Sequence, residues 1–325
     1  MIVVTGGAGF IGSAMVWQLN QSGETDILVV DELGTDAKWR NLVPRTYRDY
    51  WHKDRFIAAV RANDPALRDV TAVVHMGACS ATTERDADYL MENNFHYTRD
   101  VAEWAAARGV RFIYASSAST YGDGESGFSD DDRVMSALRP LHMYGYSKQL
   151  FDLHALRTGL IAHVAGIKFF NVFGPNEYHK AGMRSVPLAA AAQIRASGAL
   201  NLFKSYRPDY ADGAQKRDFI YVKDCVRTLE WLLRNPSVSG VFNLGTGTAR
   251  TWNDLGRAVF AALGVPVNIC YIEMPDALRG QYQYFTEAPM DKLRATGCPL
   301  PQFTLEAAIR DYVGEYLAGG VERYL

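Results

Sequence analysis

The sequence predicts an α/β fold, a doubly wound parallel sheet joined to a smaller C-terminal α/β unit. Three observations carry that expectation. Met1-Ile2-Val3-Val4-Thr5 is an apolar strand that feeds a glycine-rich turn, Gly6-Gly7-Ala8-Gly9-Phe10-Ile11-Gly12, with a helical pattern behind it. A second apolar strand, Asp26-Ile27-Leu28-Val29-Val30, ends in an acid, Asp31. Apolar strands then alternate with amphipathic helical stretches through the first half, the pattern of a parallel sheet covered on both faces.

Each element has a physical reason. Gly6 permits a sharp turn, Gly9 lets a pyrophosphate approach bare backbone, and Gly12 lets the following helix pack close to its strand. The helix start offers free N–H groups and a positive dipole end to phosphates. An acid about 20 residues after the glycines holds ribose hydroxyls, so Asp31 completes the pattern of a Rossmann-type sheet binding a nicotinamide dinucleotide. Asp31 and Glu32 repel a 2′-phosphate and favour NAD, whereas Lys38, Arg40 and Lys53 can neutralise one and favour NADP. Further strands are expected at residues 71–75, 110–115 and 164–170, and helices at 86–108, stopped by Gly109, and at 147–156. Prolines and glycines punctuate the second half, and residues 206–214 are polar and loop-like. The expected division is 1–170 with about 217–245 as the dinucleotide-binding domain, and about 171–216 with 246–325 as a substrate-binding cap.

The bulk properties exclude several classes. A chain of 325 residues can bury a large core. A formal net charge of −2 and a pI of about 6.4 give no footprint for nucleic acid or a membrane surface. A strand beginning at residue 2 leaves no room for a signal peptide, and no apolar run is long enough to span a bilayer. Cys79, Cys225, Cys270 and Cys298 lie far apart without a Cys-x-x-Cys pair and are expected to be reduced, buried packing residues. The histidines show no ligand spacing. A cytoplasmic protein without a metal is the simplest account.

The chemistry concentrates in two short segments. Tyr144-Gly145-Tyr146-Ser147-Lys148 contains a Tyr-x-x-x-Lys, which a helix turns onto one face. The Lys148 ammonium is expected to lower the Tyr144 phenol toward working pH, where a phenolate accepts a hydroxyl proton as hydride leaves the same carbon. Ala115-Ser116-Ser117-Ala118-Ser119-Thr120-Tyr121-Gly122 follows a strand end, where ligands of open parallel sheets bind. Ser117 is the candidate for bonding the oxygen being oxidised, while Ser116 and Ser119 suit turn formation.

On these residues, together with Asn171-Val172-Phe173-Gly174-Pro175, Arg217-Asp218-Phe219-Ile220-Tyr221-Val222-Lys223-Asp224 and Phe242-Asn243-Leu244-Gly245-Thr246-Gly247, the chain resembles the extended short-chain dehydrogenase/reductases. His75-Met76-Gly77-Ala78-Cys79-Ser80-Ala81-Thr82-Thr83-Glu84, Glu177-Tyr178-His179-Lys180 and Leu278-Arg279-Gly280-Gln281-Tyr282-Gln283 make it similar to that superfamily's nucleotide-sugar epimerases acting on an ADP-linked heptose. The resemblance implies an NADP-dependent isomerase that oxidises the sixth carbon and returns the hydride to the opposite face, supplying heptose for the lipopolysaccharide core of a Gram-negative bacterium. It also implies a homopentamer.

Inversion asks for a proton carrier on each side of the carbon. Tyr144 is one. The resemblance makes Lys180 the other, and an amine in that role needs its pKa lowered by burial or a nearby cation. By the same resemblance Gly6, Gly9, Phe10, Ile11, Gly12, Asp31, Glu32, Lys38, Lys53, Met76, Gly77, Ala78, Cys79, Ser80, Asn93, Tyr144, Lys148, Val172 and Lys180 line the cofactor. Ser117, Asn171, Gly182, Ala189, Phe203, Arg217 and Tyr282 hold the sugar nucleotide. The chain departs from the family pattern at Met76, Gly182, Ala189 and residues 204–206, which touches the sugar-nucleotide contacts more than the redox residues. Dehydratases of the same superfamily place an Asp-Glu pair where this chain has Ala118, Ser119 and Thr120, so elimination lacks its proton carriers. Two other readings stand beside this one: a 4-epimerase of the UDP-glucose type, needing Tyr144 alone, and a non-catalytic NADP sensor.

Overall fold

A computed structural model describes residues 1–279 and 282–325. Gly280 and Gln281, which belong to one of the family-like segments, lie outside the described residues. Seven parallel strands form the central sheet: β1 (Ile2–Thr5), β2 (Ile27–Asp31), β3 (Asp49–His52), β4 (Ala72–His75), β5 (Arg111–Ser117), β6 (Val164–Phe169) and a last strand, Gly240–Leu244. Their spatial order is Gly240–Leu244, β6, β5, β4, β1, β2, β3. Val4 of β1 pairs with Val29 on one side and Val74 on the other. The order reverses between β1 and β4, so a crevice opens beyond the carboxyl ends of those two strands.

The expected strands are present because each buries both faces. Along β1 and β2 successive side chains enter opposite layers: Val4 and Val29 join one hydrophobic cluster, Val3 and Leu28 the other. Sequence reading passed over β3. Asp49-Tyr50-Trp51-His52 buries only Trp51, and such a half-exposed edge strand carries no continuous apolar signal.

The long helix expected at 86–108 is present as three joined runs: Ala87–Leu90, a wider π turn at Met91–His96, and Tyr97–Ala107. Asp86 caps its start by accepting from the Tyr89 N–H, and Gly109, at φ +65°, ends it. The helix expected at 147–156 is longer, Met143–Thr158. Its start is fixed by the His142 ring, whose Nδ1 accepts from the Gly145 N–H at 3.1 Å. That earlier start puts Tyr144 in the first turn.

After β6 the chain builds three separate two-stranded pairs instead of a second sheet: Asn171–Phe173 with Phe219–Tyr221, Leu200–Phe203 with Ile269–Ile272, and Lys216–Arg217 with Arg250–Thr251. The helix Val222–Arg234 packs on α1 (Phe10–Gln21), where Gln18 donates to Glu230 at 2.6 Å, and the chain then re-enters the main sheet at Gly240–Leu244. Cys225 and Cys298 are buried as expected, but Cys270 is exposed and Cys79 lines the crevice. The cysteines at those two positions therefore do not serve the core. No described helix is long and apolar enough to cross a membrane.

Candidate active site

The crevice is a cleft of about 770 Å³ running from the glycine turn to the Lys180 segment. Its floor is the start of α1. Gly9 caps that helix in extended conformation, with no side-chain cap bond and no acid in the first turn, so the helix start keeps its positive end. A Cβ on Gly12 would come within 2.1 Å of the Gly6 carbonyl oxygen, and Gly6 itself has φ +62°. Both glycines are therefore required by the turn. A Cβ on Gly9 meets that oxygen only at 3.1 Å and otherwise faces space.

Asp31 ends β2 at the rim. Its Oδ2 accepts from the Ala8 N–H at 2.8 Å, and its Oδ1 accepts from the Glu32 N–H and from Lys38 Nζ at 2.9 Å. Lys53 pairs with Glu32 at 2.6 Å and donates to Asn93 Oδ1 at 3.0 Å. The Lys53 contact holds the Glu32 carboxyl below its ordinary value. Both expected lysines thus line the cleft, already bonded to the two acids. A bare helix start, glycines without room for side chains, and a rim of alternating acids and amines fit a dinucleotide.

The segment Met76 to Ser80 follows β4 and lines the same cleft. It is held by a residue that sequence reading missed. Asn94, buried in the π turn, accepts from the Cys79 N–H, donates to the Cys79 carbonyl, both at 2.9 Å, and donates to Ser147 Oγ at 3.0 Å. One asparagine therefore joins the cofactor loop to the Tyr144 helix. Its only sequence signal is its place beside Asn93. His75 bonds Thr5 and Thr98 through its two ring nitrogens, and burial pushes it down to about 3, so it is a neutral structural group.

Ser117, Tyr144 and Lys148 meet on the opposite wall. The expectation that Lys148 lowers the Tyr144 phenol is corrected by the structure. Burial raises the phenol, and the group that lowers it is the Ser117 hydroxyl. Lys148 is itself desolvated at 4% exposure and pushed down to about 8, with Asp152 one turn along opposing that shift.

Asp152 was also missed. Fully buried, it accepts from Tyr114 at 2.8 Å and from Ser116 and Lys168, each at 2.7 Å. Lys168 also donates to Thr120, whose hydroxyl donates to the Ser117 carbonyl. This network ties β5, β6 and the Tyr144 helix together beneath the site.

Lys180 lies on a short helical turn, Tyr178–Met183, with its ammonium 5.3 Å from the Phe10 ring centre. Burial lowers its pKa, as a base requires, while the Glu177 carboxylate opposes that. Asn171 and Val172 line the cleft as expected. Phe203, Arg217 and Tyr282 do not. They form a neighbouring cluster in which Arg217 stacks 5.3 Å from the Tyr282 ring centre and 5.7 Å from Trp252, and donates to the Lys216 and Gln283 carbonyls. Gly182 sits just past Lys180 and Ala189 is exposed on the helix Val186–Ser197; neither lines the cleft. The family resemblance brought them forward, and their neighbours Ala181 and Met183 do line the cleft. Among the described residues no cluster of His, Cys, Asp and Glu could hold a metal ion.

Residues 2–245 match the model of the NAD dependent epimerase/dehydratase family. An ADP-L-glycero-D-manno-heptose-6-epimerase of Nitratidesulfovibrio vulgaris is 62% identical, over 98% of both chains. The solved structure of the Helicobacter pylori ADP-L-glycero-D-manno-heptose-6-epimerase superposes with a TM-score of 0.79 at 25% identity, over 98% of this chain and 96% of that one. A Thermus thermophilus UDP-glucose 4-epimerase in complex with NAD superposes with a TM-score of 0.76 at 26% identity, over 98% of this chain and 99% of that one.

Proposed function

This chain belongs to the NAD-dependent epimerase/dehydratase family, and from that premise we propose that it inverts the sixth carbon of ADP-D-glycero-D-manno-heptose to give the L-glycero epimer. A bound nicotinamide dinucleotide supplies a reversible hydride acceptor. Tyr144 takes or returns the sugar hydroxyl proton on one face and Lys180 does so on the other. Ser117 steadies the oxygen as charge develops on it. Lys148, still cationic at neutral pH with its pKa at about 8, would help hold the dinucleotide. The observation that carries the reading is the convergence of Ser117, Tyr144, Lys148 and Lys180 on one cleft beside the glycine turn. A 4-epimerase acting through Tyr144 alone gives no role to a partly buried amine of lowered pKa at residue 180.

NADP is the proposed cofactor, with Lys38 and Lys53 shifting from their acids to a 2′-phosphate. Glu32 is about half exposed, so water can take up the carboxylate that Lys53 leaves. The Arg217 cluster is the proposed nucleotide end of the substrate site, a planar fork suited to a diphosphate. The division into a dinucleotide domain and a substrate cap, a homopentameric assembly, a cytoplasmic location and a role in heptose supply for lipopolysaccharide belong to the same proposal. A proton NMR time course separates the readings: the C6 signals of the ADP-heptose should invert, and UDP-glucose should stay unchanged. Conversion of UDP-glucose with no change in the heptose would replace this reading with the 4-epimerase one.

A further inference from the structure

One buried carboxylate near the cleft has entered so far only as a charge beside Lys180. Glu177 is 1% exposed, yet four donors converge on it. Its Oε1 accepts from the Gly174 N–H at 3.3 Å, from the Ser185 hydroxyl at 2.6 Å and from the Tyr312 hydroxyl at 3.0 Å. Its Oε2 accepts from the Ser185 N–H at 2.6 Å. Gly174 precedes the Lys180 turn and Ser185 follows it, so a single side chain draws both ends of that loop together. Tyr312, fully buried in the C-terminal helical segment, fastens the junction to the core.

The loop so closed carries strain. Ala181, next to Lys180, has φ +43° and ψ −120°, a conformation an L-residue holds only when its surroundings impose it. Asn176 adds a second anchor: its carbonyl accepts from Asn41, and its side chain donates to Ser13 on α1. Between these anchors the Lys180 ammonium has no hydrogen-bond or ion-pair partner among the described residues and rests over the Phe10 ring. Its place therefore depends on the backbone that bears it.

We propose that Glu177 is the positioning residue for Lys180: its carboxylate clamps Gly174 to Ser185 and holds the strained turn that aims the amine at the cofactor end of the cleft. The inference rests on Lys180 being the second proton carrier. A glutamine at 177 would turn its amide NH2 toward either the Gly174 N–H or the Ser185 N–H, neither of which can accept, so the clamp would weaken with little change in volume.

The test uses enzyme loaded with NADP and follows transient formation of the reduced nicotinamide from each heptose epimer separately. With Glu177→Gln the rate should fall roughly a hundredfold from one epimer, the effect of a misplaced reacting group, and stay unchanged from the other. Glu177→Asp should recover part of the loss. Tyr312→Phe removes one distant donor and should give a smaller loss with the same one-sidedness, which keeps the test decisive if the glutamine variant does not fold. Equal losses from both epimers, or none, would overturn the clamp. Lys180→Met run in parallel separates the two levels. If it is one-sided and the clamp variants are not, only the clamp falls. If it is not one-sided, the two-base reading and the clamp fall together.

Discussion

At the scale of single residues, the site runs on side chains whose charge states are set by burial. Desolvation acts on both proton carriers in opposite senses: it raises the Tyr144 phenol and lowers the Lys180 amine. Tyr144→Phe or Lys180→Met alone should slow epimerisation by roughly 10² to 10⁴-fold, and the double variant should show none while still binding dinucleotide. Normal turnover by the double variant in the NMR assay would refute the assignment. Lys148 makes a separate prediction. Its pKa falls from 10.5 unfolded to about 8 folded, so between those values the unfolded chain binds more protons and stability rises with pH. Below 8 the cost of the buried charge is present in full. Lys148→Met should be inactive yet more stable than the parent at neutral pH, by about 3 kcal/mol, with the gap closing as pH approaches 10.5. Urea denaturation at both ends of that range checks the sign.

At the scale of elements, the glycine turn and the helix starts decide where those residues stand. Gly9 and Gly12 look alike in sequence but have different duties. Gly12→Ala should cost about 1–3 kcal/mol in a denaturant titration, because its methyl would enter the Gly6 carbonyl. Gly9→Ala should cost less stability than Gly12→Ala and weaken dinucleotide binding, because its methyl meets the Gly6 carbonyl at 3.1 Å rather than 2.1 Å and would occupy the approach to the helix start. The buried Lys168–Asp152 pair links three elements, and Lys168→Met leaves the Asp152 charge with two hydroxyl donors only. A loss of about 3–5 kcal/mol is expected by chemical denaturation. The π turn at Met91–His96 and the His142 cap are likewise element-level devices, placing Asn94 and Tyr144 respectively.

At the scale of the whole molecule, strand order makes the site. The reversal between β1 and β4 opens the crevice, and the Lys180 loop comes to the glycine turn through Asn41, which donates to both the Ala8 and Asn176 carbonyls. Dinucleotide should therefore stabilise the entire fold rather than one lobe. At a hundred times its Kd the gain is about 2.7 kcal/mol, read as a single cooperative melting transition shifted upward. A biphasic melt in which only part of the signal moves would contradict this coupling.

The sequence by itself determined the parallel sheet, the glycine turn, the acid at residue 31 and the Tyr144/Lys148 pair, because period, strand composition and helical spacing are local properties written in consecutive residues. It also carried the family motifs that brought Lys180 forward. Tertiary structure alone decided which charges act on which groups. Ser117 rather than Lys148 lowers the phenol, Asn94, Asp152 and Glu177 hold the site from behind, and Phe203, Arg217 and Tyr282 stand beside the cleft instead of in it. Those relations join residues far apart in the chain, and burial, which sets their energies, exists only once the strands have packed.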